Sequence, residues 1–236
     1  LEQLHQDFTE HGIFVDTVEL DIQKMMERKN RIVAELADGI NTLFKANGVT
    51  AIHGYGRLLT EQRVEVTPVT GSQPLGILVS RFVVIATGSE PMVLPGLPFD
   101  GDQIIDSSAA LSLPTVPETL GVIGAGVVGL ELGSVWRRLG AKVTVLEAAK
   151  TLLPAADVQI AREAQRQFKK QNLNIQLDCL VTSATVINNG CEVRYLQAGQ
   201  EQKLTVDKLI VAIGRQPCTD GLFDTATDVT LDSRGF

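Results

Sequence analysis

Gly124-Ala-Gly-Val-Val-Gly129 decides the reading of this chain; it stands between the apolar run Leu120-Gly-Val-Ile123 and a helical stretch and is followed by Val143-Thr-Val-Leu-Glu147. A helix N-terminus presents unpaired N–H groups and a partial positive charge, and glycine lets the main chain approach a pyrophosphate closely enough to use them. Gly124 is expected to make the tight turn, Gly126 to admit the phosphates, and Gly129 to let the helix pack closely on the strand. Glu147 falls about 20 residues on, where a second strand ends and a carboxylate accepts hydrogen bonds from the ribose 2′- and 3′-hydroxyls.

Three spaced glycines also mark ordinary strand-to-helix turns, and a strand-end carboxylate is also an ordinary solvated charge, so the context must separate the readings. Leu130, Val135, Trp136 and Leu139 recur at helical spacing, and Gly140 sits where a left-handed residue ends a helix. Strand, turn, helix and strand therefore arrive as one unit. Ala148-Ala149-Lys150 offers no arginine to neutralise a 2′-phosphate, and Glu147 repels one. NAD is expected rather than NADP.

The chain has 236 residues, 44% of them apolar and 21% charged, enough to bury a substantial core in one or two domains. Its net charge of −7 and the lack of a basic run interleaved with aromatics argue against nucleic acid as a partner. No apolar run reaches the ~18 residues that suggest a membrane span, and no secretory leader is recognisable at Leu1, so a cytoplasmic location is expected. Cys179, Cys191 and Cys218 have neither CxxC nor metal-ligand spacing, and His5, His11 and His53 are the only histidines, so no metal site is expected. The cysteines read as small apolar residues.

Residues 21 to 47 carry Ile22, Met25, Met26, Ile32, Val33, Leu36, Ile40, Leu43 and Phe44 at helical spacing, with Asp21 as N-cap and Gly48 just past the end. Short extended runs at 50–53, 63–66 and 75–79 suggest an antiparallel meander. They lead into Phe82-Val-Val-Ile-Ala86, an unbroken apolar run of the kind found in strands covered on both faces. The segment from Pro91 to Pro117 holds five of the nine prolines and reads as an interdomain linker. Farther on, a helix with Ile160, Ala161, Ala164 and Phe168 on one face precedes strands at 174–177 and 181–187. A hairpin through Asn188-Asn189-Gly190 leads to 191–196, and Leu209–Ala212 supplies a last buried strand.

An internal echo links the two halves. Ile85-Ala-Thr-Gly-Ser-Glu-Pro91 aligns with Val211-Ala-Ile-Gly-Arg-Gln-Pro217, and in both places a hairpin-rich stretch precedes the apolar strand that ends at the glycine. A glycine directly after a buried strand lets a nucleotide approach the carboxyl edge of the sheet, although it also serves any tight turn. Gly88 and Gly214 are expected to touch two different nucleotides.

His53-Gly-Tyr-Gly56, Val84-Ile-Ala-Thr-Gly-Ser89, the run from Val122 through Gly-Leu-Glu-Leu-Gly-Ser-Val-Trp136, Leu152-Leu-Pro-Ala-Ala156 and Val211-Ala-Ile-Gly-Arg-Gln-Pro217 are spread over nearly the whole chain. Together they resemble the pyridine-nucleotide disulfide oxidoreductase family, and within it the branch that oxidises dihydrolipoamide. The resemblance implies a homodimeric flavoenzyme that takes electrons from protein-bound dihydrolipoamide through a redox disulfide and FAD to NAD. It also implies lipoyl domains of 2-oxo acid dehydrogenase complexes and of the glycine cleavage system as partners. By position, Gly56, Thr87, Gly88 and Ser89 match residues near FAD. Gly124, Ala125, Gly126, Val127, Val128, Gly129, Leu130, Glu131, Glu147, Val181 and Gly214 match the NAD site, with Glu131 near the nicotinamide.

The expected architecture is α/β, with two related Rossmann-like FAD- and NAD(P)-binding domains of which the first is incomplete. Residues 1–112, with the last few of the chain, would form part of the FAD domain and 113–236 the NAD domain. The chain begins in a polar helical stretch and ends at a turn, so both ends read as cut. The family's CxxxxC disulfide, its first FAD glycine turn and its interface domain are not among these residues. No catalytic residue is assigned, and the chain alone is expected to bind but not to turn over. Close alternatives are a soluble transhydrogenase or a mercuric reductase on the same scaffold, or a nucleotide-binding module without catalysis.

Overall fold

The computed structural model describes residues 18–70 and 73–236. The polar helical stretch expected at the start of the chain, with His5 and His11, lies outside the described residues. In chain order the first elements are α1 (Ile22–Ala46), β1 (Tyr55–Leu58), β2 (Arg63–Thr67), β3 (Gly76–Val79), β4 (Ser89–Pro91), β5 (Ile104–Ile105), α2 (Ser107–Ala110) and β6 (Thr119–Ile123). There follow α3 (Val127–Arg138), β7 (Lys142–Leu146), α4 (Val158–Lys170), β8 (Asn174–Gln176), β9 (Cys179–Ile187), β10 (Gly190–Gln197), β11 (Gln200–Val206), β12 (Lys208–Val211) and β13 (Arg215–Pro217). The described residues divide into two compact units, one of residues 18–28 and 91–214 and the other of residues 29–70, 73–90 and 215–236.

The first unit is built on a five-stranded parallel sheet in the order β5-β12-β6-β7-β8. Leu120 and Val122 of β6, Val145 of β7, and Leu209 and Ile210 of β12 are wholly buried, as strands covered on both faces require. The crossovers β6-α3-β7 and β7-α4-β8 build the sheet outward on one side of β6, whereas β12 returns to the other side. The carboxyl end of β6 thus lies where strand order reverses, the place at which open α/β sheets leave a crevice for ligands.

Helix α3 packs because its apolar residues share one face. Leu130, Leu132 and Trp136 are buried, and the bare Gly133 lies against Val143, Val145 and Leu173. Val135, expected on that face, is exposed. The helix stops at Gly140, whose φ of 116° is the left-handed region that favours glycine. On α4, capped by the Asp157 carboxylate on the Gln159 N–H, Ala161, Ala164 and Phe168 face the core while Ile160 does not. Strands β9, β10 and β11 form a separate antiparallel sheet whose Cys191, Val193 and Tyr195 alternate into a second apolar cluster.

The proline-rich stretch 91–117 is not a linker. Leu97, Ile104, Ile105, Ala110 and Leu113 are buried in the two apolar clusters of this unit, and β5 adds an edge strand to the sheet. Its prolines flank elements that pack, and the compact units divide at Pro91, with residues 215–236 grouping with 29–90.

In the second unit β1, β2 and β3 form an antiparallel meander. Its first strand is 55–58 rather than 50–53. Leu58 bridges Phe223, and Arg57 pairs with Asp224 at 2.9 Å. Phe82–Ala86, expected as a buried parallel strand, is not one: no strand pairs with it among the described residues, and Phe82 and Val84 are 84% and 86% exposed. An apolar run becomes a strand only where neighbours take its N–H and C=O groups. Helix α1 starts on the Asp21 carboxylate, which accepts from the Lys24 N–H at 3.0 Å, and Gly48 follows its end at φ 65°. Its apolar positions Val33, Leu36, Ile40 and Leu43 are exposed.

The two echoing segments meet. Strands β4 and β13 form a two-stranded ribbon. The Cys218 N–H donates to the Gly88 carbonyl at 3.0 Å, and the Met92 N–H donates to that of Gly214 at 3.0 Å. The Arg215 guanidinium donates to the Ser89 hydroxyl at 2.8 Å and to the Ser89 carbonyl, and the Gln216 amide donates to Glu90 at 2.8 Å.

Candidate functional site

The three glycines after β6 differ in what the protein itself demands of them. Gly124 has φ 105°, and a Cβ there would fall closer than 3.0 Å to the Ala212 carbonyl. A Cβ on Gly129 would be driven into the Gly124 carbonyl oxygen and lie 3.3 Å from a Val122 methyl. Both positions are therefore glycine for intramolecular reasons, the first for the turn and the second for the close approach of α3 to β6. Gly126 is different: its φ of −78° suits any residue, and nothing lies within 4 Å of an added Cβ. The space over Gly126 is open.

Gly126 is also the N-cap of α3 and offers no side-chain cap. The next residues, Val127 and Val128, are exposed, at 61% and 37%, whereas Ala125 and Leu130 are buried. The helix thus opens onto solvent with its first amides and the positive end of its dipole uncapped by Gly126.

Glu147, at the end of β7, reaches this turn. Its Oε2 accepts from the Ala125 N–H at 2.6 Å and its Oε1 from the Ala149 N–H at 2.8 Å. Its main chain is fixed by β8 and the start of β9, the N–H donating to the Gln176 carbonyl and the carbonyl accepting from Cys179, each at 2.9 Å. The loop after β7 folds back over the same place, where the Leu153 N–H donates to the Ala125 carbonyl at 3.0 Å. Spacing could place Glu147 near the glycines but carried no signal for the two amides it accepts from. Leu153 was legible only as part of the Leu152-Leu-Pro stretch.

The remaining candidates separate by unit. Gly124 to Glu131, Glu147, Val181 and Gly214 belong to the first unit, and Gly56, Thr87, Gly88 and Ser89 to the second. Glu131 is exposed on α3, beyond its first turn. Val181 is half-buried on β9, paired with Tyr195. Gly214 has φ 146°, and the Met92 sulfur would be 3.1 Å from a Cβ there, a neighbour no motif announced. Gly56 lies in β1 opposite Val66, and Gly88, at φ 75°, has open space where a Cβ would be.

The cysteines do not form a reactive centre. Burial pushes the Cys191 thiol up to about 11, helped by the Asp100 charge, and burial with the Asp178 charge raises that of Cys179. Such thiols stay protonated and unreactive at neutral pH. Cys218 is half-buried. Among the described residues no cluster of His, Cys, Asp and Glu is placed to hold a metal ion, and no helix is long and apolar enough to cross a membrane.

A dihydrolipoyl dehydrogenase from Cupriavidus necator is 44% identical over 236 residues, all of this chain and 49% of the relative. The mitochondrial dihydrolipoyl dehydrogenase of Bos taurus is 40% identical over 234 residues, 98% of this chain and 46% of the relative. The chain thus spans about half the length of the curated relatives it matches. Among solved structures, the HOCl-induced flavoprotein disulfide reductase RclA of Escherichia coli superposes with a TM-score of 0.76 at 27% identity over 99% of this chain and 50% of that one. LpdA from Mycobacterium tuberculosis shares the fold, with a TM-score of 0.84 at 23% identity over 94% of this chain and 48% of its own. The family model described as pyridine nucleotide-disulphide oxidoreductase matches residues 4–236, and with a glycine turn at the switch point of a parallel sheet the chain belongs to that family.

Proposed function

We propose that the first unit holds NAD over Gly124-Ala-Gly126, and that the second, through Gly56, Thr87, Gly88 and Ser89, holds part of FAD, within a flavoprotein that oxidises protein-bound dihydrolipoamide. The single observation that carries the reading is Gly126, a glycine that neither its backbone angles nor its neighbours require, at the open N-terminus of α3. A residue kept small with space above it and amides beside it fits a phosphate approaching the main chain.

The work of these residues is placement. The α3 amides and dipole balance the charge of the diphosphate. The Glu147 carboxylate holds the adenosine ribose by its hydroxyl pair and repels a 2′-phosphate. Gly214, just past the end of β12, lets the ligand come close to the main chain beside Met92, and Glu131 sets charge near the nicotinamide. Bound there, NAD supplies a hydride acceptor for electrons arriving through flavin and a disulfide. That disulfide is not formed within these 236 residues, whose three cysteines include no CxxxxC pair. Lipoyl domains of 2-oxo acid dehydrogenase complexes and the glycine cleavage system are the proposed electron donors, as the names of the relatives favour over transhydrogenase or mercuric reductase. The parent enzyme is proposed to be a homodimer.

Calorimetric titration with NADH and NADPH, beside a dihydrolipoamide turnover assay on the same sample, tests this. NADH binding with NADPH at least about tenfold weaker is expected from the charge at Glu147. No binding of either nucleotide would overturn the reading. Binding without turnover is the expected result for these residues, which carry no CxxxxC pair, and turnover of dihydrolipoamide by this sample would overturn that part of the reading.

A further inference from the structure

We infer that Glu147 is a positioning residue that assembles the phosphate turn before any dinucleotide arrives, and that its part in choosing NAD over NADP cannot be separated from this task. The inference rests on the nucleotide reading above and deepens it. Ala125 is fixed at both poles of its main chain. Its N–H donates to the Glu147 carboxylate at 2.6 Å, and its carbonyl accepts from Leu153 at 3.0 Å. The other carboxylate oxygen accepts from Ala149 at 2.8 Å, which ties down the start of the loop that carries Leu153. One side chain therefore braces the turn and the loop that folds over it.

These are charge-assisted bonds, about twice as strong as neutral ones. A carboxylate has roughly four acceptor positions, so two bonds to the protein leave one on each oxygen for a ribose hydroxyl pair. The ligand joins the brace and does not displace it. The same geometry explains why the acid cannot simply move aside for a 2′-phosphate: rotation away would free both amides. Removing the carboxylate takes away the repulsion and the scaffold in one step. Glutamine fits the space but has one acceptor oxygen, and its NH2 would face an N–H donor.

The test is amide hydrogen exchange of the ligand-free 236-residue protein, followed by NMR at Ala125 and Ala149. The variants are Glu147→Gln, Glu147→Ala and, as a control on the exposed face of α4, Glu163→Gln. Exchange at Ala125 or Ala149 is expected to quicken on the order of tenfold or more in both Glu147 variants, with Trp136 in the last turn of α3 unchanged. NADH binding by the same samples is expected to weaken on the order of tenfold, with no gain for NADPH. Ala125 and Ala149 exchange that ignores Glu147, or a Glu147→Ala protein that binds NADPH better than the parent, would overturn the inference. The two readings fail separately. NADH binding with exchange indifferent to Glu147 refutes the brace alone, whereas amides protected by Glu147 in a protein that ignores NADH uphold the brace and refute the nucleotide site.

Discussion

Gly126→Ala is expected to leave the fold intact and remove NADH binding, while Gly129→Ala destabilises the fold itself. At 126 the backbone angles, φ −78° and ψ −178°, are open to alanine, and the added methyl meets nothing within 4 Å. Alanine as an N-cap costs about 0.5–2 kcal/mol relative to a polar cap, less relative to glycine, and restricting the unfolded chain returns roughly 0.4–1 kcal/mol. The net change is within about 1 kcal/mol, or some 2–4 °C in melting temperature for a chain of this size. Binding is another matter. A methyl over the turn holds a phosphate away from the first amides of α3, and two charge-assisted hydrogen bonds of about 1.5–3 kcal/mol each are forfeited. The loss of roughly 3–6 kcal/mol corresponds to more than about 100-fold in affinity. At 129 the methyl enters the Gly124 carbonyl, and overpacking of this kind costs about 1–3 kcal/mol or more, so melting falls by several degrees. Thermal melts and NADH titration of both variants decide the matter. A Gly126→Ala protein that binds NADH like the parent, or melts as low as Gly129→Ala, would refute the reasoning.

Other expectations follow from the same packing and charges. Trp136, the only tryptophan and 2% exposed, anchors α3 to the sheet; Trp136→Ala should cost about 3–5 kcal/mol, seen in urea melts followed by circular dichroism. Cys191, with its thiol pushed up to about 11, should resist a thiol reagent at pH 8 in the native protein and react only on unfolding, whereas half-buried Cys218 reacts first; mass mapping of the labelled cysteines checks the order. Partial burial works against the charge of Asp100, but the amides of Asp102, Ile104 and Gln103 outweigh it and hold the carboxyl below its ordinary 3.8. A carboxyl lowered on folding stabilises the fold above its ordinary value and loses that contribution as pH falls through the lowered one. Asp100→Asn should therefore destabilise at pH 7 and converge with the parent in melts as pH falls below 3.8 and through the lowered value.

The glycine turn was legible because its requirements are local: a strand, a residue free to adopt positive φ at 124, bare backbone at 129, and a carboxylate one strand away. The helix and its glycine stop were legible for the same reason. What sequence missed depended on partners. Phe82–Ala86 has the composition of a buried strand, but a strand is a relation between segments, and none pairs with it among the described residues. Gln200–Val206 forms β11 although its first residues are polar, because its side chains mostly face solvent and only Leu204 and Val206 turn inward. Proline density suggested a linker at 91–117 because it obscured the buried Leu97, Ile104, Ile105 and Leu113 between the turns. Within the site, the register of Glu147 was readable and its bonds to Ala125 and Ala149 were not, since a side chain's choice of main-chain amide is made by the folded loop.

The most direct measurement is a titration of the 15N-labelled 236-residue protein with NADH, followed at the backbone amides. The account predicts that Ala125, Gly126, Val127 and Val128 shift together with Ala149 beside the Glu147 carboxylate, saturating with one affinity. Shifts that saturate elsewhere while this turn stays still would contradict it.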